Sequence, residues 1–157
     1  MIILGIFGSD PATEVHPRLW QGGFPREPDK LKTMGIDAIV LAAQELQPEK
    51  GESFYGLEII CAPMDDDGAS PPSLVEWQRA LLAAKRVIEL HRDGKTVLVT
   101  CRMGLNRSGL VSALAIRRLT GVSGRVAAEQ VREYRDGALS NHGFFVVLSK
   151  LGIPDAR

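Results

Sequence analysis

The stretch Thr96-Val-Leu-Val-Thr-Cys101-Arg-Met-Gly104-Leu-Asn-Arg107-Ser108-Gly109 constrains this chain more than any other. Its first six residues are short, apolar or β-branched and bounded by turn formers, the pattern of a buried strand. The loop that follows leads into Leu110–Leu119, whose spacing predicts a helix. Such a strand-to-helix step is half of a β-α-β unit and implies parallel neighbours. Ile36–Leu41 and Leu57–Cys61 have the same strand character, Arg18–Gln21 is a weaker strand, and Ile2–Phe7 is a further candidate. Ser73 and Glu76 form a capping-box pattern that opens a long helix. It places Leu74, Trp77, Leu81, Ala84, Ile88 and His91 on one face and closes at Gly94. Helical patterns also cover Arg125–Tyr134 and, behind Ser140 and Asn141, His142–Leu151. The expected fold is α/β: a central, mostly parallel sheet of about four or five strands flanked by helices, with a helical C-terminal part. In such sheets ligands bind beyond the carboxyl ends of the strands.

Composition narrows the partners. The 157 residues make one domain's length, 45% hydrophobic and 24% charged, which excludes a disordered chain. Nineteen Lys+Arg against nineteen Asp+Glu give zero net charge, so no global basic field gathers nucleic acid or membrane. Two cysteines are too few for a disulfide framework. The opening residues lack a basic n-region and no apolar run spans a bilayer, so a cytoplasmic monomer with no membrane partner is expected.

The loop between strand and helix carries the chemistry. Backbone N–H groups of a tight loop and of the next helical turn converge on one concavity, where the helix dipole adds positive potential. That is a site for an oxyanion. A cysteine in such a potential has a lowered pKa and reacts as thiolate. Arg107, six residues after Cys101, can curl back and hold two phosphate oxygens with its planar fork, a geometry lysine lacks. Arg102, Met103, Gly104, Leu105 and Asn106 supply the intervening amides. A buried strand-end cysteine and a solvated arginine would be the plainer reading. The joint order of strand, Cys, mid-loop Gly and Arg-Ser-Gly at a helix start speaks against it.

At these residues the chain resembles the cysteine-dependent phosphatases of signature C-x5-R-[ST], the protein tyrosine phosphatase superfamily, and especially its dual-specificity branch. Arg18-Leu-Trp-Gln-Gly-Gly is similar to that branch's opening strand and turn, Leu31-x-x-Met-Gly-Ile-Asp-Ala-Ile-Val-Leu to its next helix-to-strand step, and Asn141-x-Gly-Phe-x-x-x-Leu148 to its C-terminal helix. The resemblance implies one phosphatase-like catalytic domain over 1–157 that hydrolyses phosphomonoesters through a phosphocysteine intermediate without metal or other cofactor. It makes Cys101 the nucleophile, Arg107 the phosphate clamp and Ser108 the hydroxyl that eases thiolate departure. Expelling an alkoxide also needs a proton donor. The candidates are Asp65, Asp66 and Asp67, and the family's Pro-x-x-Asp arrangement, counted from Pro63, points to Asp66 with Asp65 as runner-up. One departure is Thr100, where the family usually has His; it implies weaker thiol activation.

Three other readings compete. Asp65-x-Asp67-Gly68-Ala69 is similar to the magnesium-dependent haloacid dehalogenase-type nucleophile loop, although Ala69 stands where Thr or Val is expected. Cys101-Arg-Met-Gly resembles the start of a rhodanese-like sulfurtransferase loop, whose usual span is one residue shorter. A noncatalytic phosphate-binding module would keep Arg107 and the loop and lose turnover, which Thr100 allows. Gly104-Leu-Asn-Arg-Ser-Gly also resembles the loop of RNA 5′-phosphatase relatives, while zero net charge argues against nucleic acid. The short segment before Ile36 leaves no wall for a deep phosphotyrosine slot, and only Arg102 adds charge within the loop, which demotes lipid phosphates. A phosphorylated protein or small phosphoester is the expected substrate. Trp77, Phe144 and Phe145 read as core, Cys61 as a buried strand cysteine that could pair reversibly with Cys101, and His16, His91 and His142 lack metal-ligand spacing.

Overall fold

The computed structural model describes residues 2–3, 11–49 and 54–155. Strands β1 (Ile2–Ile3), β2 (Ala12–His16), β3 (Leu19–Gly22), β4 (Ala38–Ala43), β5 (Glu58–Met64) and β6 (Val97–Thr100) form one sheet in the order β1-β2-β3-β6-β4-β5. The run β3-β6-β4-β5 is parallel, and β1 and β2 add an antiparallel edge. β2 was not expected because Ala-Thr-Glu-Val-His offers no apolar run. As part of an antiparallel edge it buries only Ala12 and Val15, so its polar residues cost little. Of the candidate Ile2–Phe7, residues 4–7 lie outside the described residues.

Alternation along β6 divides the interior. Val97 and Val99 face a core shared with α1 (Leu74–Arg92), α2 (Arg107–Thr120), α3 (Gly124–Tyr134) and α4 (His142–Ser149), while Leu98 faces a second core with Trp20, Ile39 and Leu41. All four helices therefore pack on one face. The opposite face is covered by Leu31, Ile36, Leu57, Phe24 and Phe54. The helix expected before β4 is a single 3-10 turn at Pro28–Lys30 followed by turns.

The Ser73 and Glu76 capping box forms as the sequence predicts. The buried face of α1 is rotated from the expected one: Ala80, Ala83, Ala84, Val87, Ile88 and Leu90 are buried, Trp77 packs half-buried, and Leu74 and Leu81 are exposed. Small alanines let α1 approach β5 and α2 closely, which turns the bulkier leucines outward. Phe144 is buried, and Phe145 packs partly buried beneath the Arg132 guanidinium, 3.6 Å from its ring centre. Cys61 is a correction: it is exposed on the β5 edge, and partial desolvation raises its pKa. Leu41 of β4 pairs with Cys61 on one side and Thr100 on the other, so two strand spacings, roughly 10 Å, separate Cys61 from the end of β6. That exceeds the ~7 Å Cα separation a disulfide can bridge, and both thiols are free. Among the described residues, no helix is long and apolar enough to cross a membrane.

The register brings Gly22 and Leu41 level with Thr100, so Cys101 emerges at the carboxyl edge of three strands. At the ends of α3 and α4 away from the Cys101 loop, the two helices are locked together by Gly124, whose N–H donates to Leu151 O and whose missing side chain admits the Leu148 carbonyl. Glycine-to-alanine changes in helices ordinarily stabilise by up to about 1 kcal/mol. Gly124→Ala should instead lower the urea midpoint, because its Cβ would overlap Leu148 O.

Candidate active site

The loop after β6 is built with its peptides turned one way. Every carbonyl from Arg102 to Asn106 has a donor behind the loop: Phe24 N–H to Arg102 O, Arg135 Nη2 to Met103 O, Gln21 Nε2 and Arg135 Nε to Gly104 O, Leu139 N–H to Leu105 O, and Leu110 N–H to Asn106 O. Among the described residues, no backbone N–H from Arg102 to Gly109 donates to a protein group. These donors are left for an anion, at the positive end of α2. Gly104 makes the turn possible: its φ is +71°, and a Cβ there would overlap the backbone of Gly22 and Gly23.

Cys101 is 3% exposed at the base of this loop, and its Sγ lies 3.3 Å from Ser108 Oγ. Arg107 is buried and points back over the loop. Its Nη1 donates to Glu45 Oε2 at 2.7 Å and to Met64 O at 3.0 Å, and its Nη2 donates to Glu45 Oε1 at 2.8 Å. Glu45 thus takes the Nη1–Nη2 edge of the guanidinium. Nε is buried with no partner, so the Nε–Nη2 edge remains for a second planar pair of oxygens. Burial opposes the charge on Arg107, yet Glu45's hydrogen bond and the nearby Cys101 and Asp66 outweigh it and raise its pKa. In return the hydrogen bond from Arg107 holds the Glu45 carboxyl below its ordinary value.

The acidic triplet resolves into three environments. Asp67 closes its own turn, accepting from Ala69 N–H, Ser70 N–H and Ser70 Oγ. The Ser70 hydroxyl first, then those amides, push its carboxyl down to about 2. Asp65 is exposed, and its N–H donates to Glu76, the same side chain that completes the α1 capping box. Asp66 accepts from Asn106 Nδ2 and Asn141 Nδ2, each at 2.8 Å, and from Gly68 N–H. Glu45, Asp65, Asp66 and Asp67 line a cleft of about 660 Å³ together with Cys101, Arg102, Met103, Leu105, Asn106 and Arg107. The structure therefore gathers the expected residues at one place. Gly104 and Ser108 are not among the cleft-lining residues: Gly104 packs against Gly22 and Gly23, and Ser108 Oγ lies against Cys101 Sγ.

Thr100 turns away, its hydroxyl donating to Val40 O across the sheet. Sequence reasoning missed Glu45, Gln21 and Arg135. Glu45 stands in an unremarkable turn after β4, and Arg135 at the end of α3 reads as an ordinary solvated cation, although it is 3% exposed. Only a count of which loop carbonyls need donors would have called for it.

The family of the dual specificity phosphatase catalytic domain matches residues 19–152. The chain belongs to this family, within the cysteine-dependent tyrosine phosphatase superfamily. It is 29% identical over 136 residues to dual specificity protein phosphatase 12 of Rattus norvegicus, a match covering 85% of this chain and 39% of that relative. The chain thus spans about two fifths of the curated relative's length. The structure of Tk-PTP in its active form is 28% identical with a TM-score of 0.74, over 89% of this chain and 95% of that one. A mouse dual-specificity phosphatase complexed with zinc tungstate is also 28% identical with a TM-score of 0.74, over 94% and 91% of the two chains. The phosphatase-like fold is shared with both.

Two outcomes follow. Glu45→Gln should weaken vanadate binding about tenfold, roughly 1.4 kcal/mol, because the guanidinium loses its bidentate anchor; titration calorimetry measures this. The second concerns acid. Because Asp67's folded value lies below its ordinary 3.8, its contribution to stability is present above about pH 4 and lost as pH falls toward 2. The urea midpoint of the wild type should exceed that of Asp67→Asn at pH 5, with the gap narrowing toward pH 2.

Proposed function

We propose that this phosphatase domain hydrolyses phosphomonoesters of protein or small-molecule substrates in two in-line displacements. Cys101 Sγ attacks phosphorus as the bond to the leaving oxygen breaks and Asp66 passes that oxygen a proton. Water then attacks the phosphocysteine, Asp66 takes its proton, the P–S bond breaks, and the Ser108 hydroxyl donates to the departing thiolate. The loop amides and the Nε–Nη2 edge of Arg107 hold the equatorial oxygens in both steps. No step calls on a metal.

The observation that carries this reading is the one-way orientation of the loop peptides around Cys101, with Arg107 anchored above them by Glu45. The tungstate named with the mouse structure is a tetrahedral oxyanion, which supports a ligand of that geometry for the loop of this chain. The carboxylates Asp65, Asp66 and Asp67 in the cleft lining disfavour substrates that carry several further negative charges, in keeping with a phosphorylated protein rather than a polyphosphate or nucleic acid. Asp67 serves as the turn's own acceptor, which leaves the haloacid dehalogenase-type reading without its second aspartate.

The test is hydrolysis of an aryl phosphate by wild type and Cys101→Ser, with excess chelator and with vanadate. Chelator-resistant turnover that vanadate blocks and the serine variant lacks is expected. Vanadate binding without turnover would make the domain a phosphate-binding module instead.

A further inference from the structure

Asn106 and Asn141 occupy equivalent places, each the N-cap of its helix, and both reach the same carboxylate. Their amide orientations are fixed by backbone donors. Asn141 Oδ1 accepts from Phe144 N–H, so its Nδ2 must face Asp66. Asn106 Oδ1 accepts from Asn141 N–H at 2.9 Å, which turns its Nδ2 to Asp66 as well. Asn106 makes no cap bond to its own helix, although asparagine is a strong N-cap. Its side chain instead cross-links the phosphate loop, the segment before α4 and the acidic loop. α4 is held against that loop independently, by Gly143 N–H to Ala69 O, with no room at Gly143 for a side chain beside Ser70 and Pro71.

A carboxylate offers about four acceptor sites. On Asp66, Oδ1 is filled by Asn141 and Gly68, and Oδ2 holds only Asn106. One site is left, on the oxygen beside Asn106 of the cleft wall.

From this we infer that Asn106 and Asn141 are positioning residues for proton transfer: they pin Asp66 so that Oδ2 alone carries the proton toward the leaving oxygen. The inference rests on Asp66 as the acid proposed above. As the proton leaves Oδ2 for the leaving oxygen, negative charge develops on the carboxylate, and the two amide bonds strengthen. Bonds stronger in the transition state than in the ground state accelerate the step. In the second step the same vacated site on Oδ2 accepts the proton of the attacking water.

Asn141 tests this best because its cap and its amide can be separated. Serine caps a helix about as well as asparagine but has no amide to reach Asp66. Asn141→Ser, Asn141→Ala, Asp66→Asn and Asp65→Asn are assayed on phenyl phosphate, whose leaving group needs a proton, and on 2,4-dinitrophenyl phosphate, whose leaving group does not. Melting midpoint and vanadate inhibition are recorded alongside. Asn141→Ser should keep its midpoint and vanadate inhibition and lose kcat at least about tenfold more on phenyl phosphate, a part of the ~10²- to 10⁴-fold that positioned proton donation supplies. Asn141→Ala should share that selectivity and also melt lower. Asp66→Asn should be selective in the same sense and more strongly. If Asn141→Ser loses nothing, or loses equally on both esters, while Asp66→Asn stays selective, the positioning role is overturned and the acid assignment stands. If selectivity appears in Asp65→Asn and not in Asp66→Asn, or the wild type turns over neither ester, the acid assignment itself fails and this inference with it.

Discussion

Everything at this site depends on one constraint: a peptide loop whose carbonyls all point away from the space its N–H groups surround. Such an arrangement does not arise by itself, since each carbonyl turned outward must find a donor, or its burial costs ~1–3 kcal/mol. Here the donors come from β3 through Gln21, from the turn after β3 through Phe24, from the end of α3 through Arg135, and from the segment before α4 through Leu139. Four separate parts of the chain are committed to holding the backs of four peptide groups, and the fifth carbonyl, Asn106 O, accepts from Leu110 N–H of α2. The fold can be regarded as the frame that delivers those donors.

Charge is arranged on the same plan. Two buried guanidinium groups bracket the loop, Arg135 behind it and Arg107 above it. A buried cation is costly unless it is paired or richly hydrogen-bonded. Arg135 spends its donors on main-chain oxygens, including Pro11 O, and on Thr13 Oγ1, and so ties the antiparallel edge to the loop. Arg107 spends one edge on Glu45 and Met64 and keeps the other. Lysine at 107 could not do both, because only a planar fork offers two edges with fixed geometry.

The parallel strands, the four helices and the Cys101 to Ser108 loop were legible because each leaves a local signal: a β-branched run, a capping box, a helical period, a fixed spacing. β2 was not, since its Ala12 and Val15 enter different cores with polar residues between them, which leaves no apolar run to announce it. The face of α1 was misjudged for a related reason. Periodicity ranks residues by hydrophobicity, whereas the packed face was chosen by size, with Ala80, Ala83 and Ala84 inward and Leu81 outward. Glu45, Gln21 and Arg135 stayed hidden because their roles are fixed by partners far along the chain: the Arg107 guanidinium 62 residues away for Glu45, and loop carbonyls 83 and 31 residues away for Gln21 and Arg135.

Thr100 shows where a family pattern and a local environment part. Strand alternation puts its side chain on the sheet face opposite the core that holds Cys101, and its hydroxyl is spent on Val40 O, closing the edge between β6 and β4. A side chain there can act on the thiol only through the position of the strand end. The direct neighbours of Cys101 are the loop amides, Ser108 and the cation of Arg107, and all of them are held by groups other than residue 100. Threonine at this position therefore fastens β6 to β4 and takes no part in the hydrogen bonds that shape the loop around Cys101.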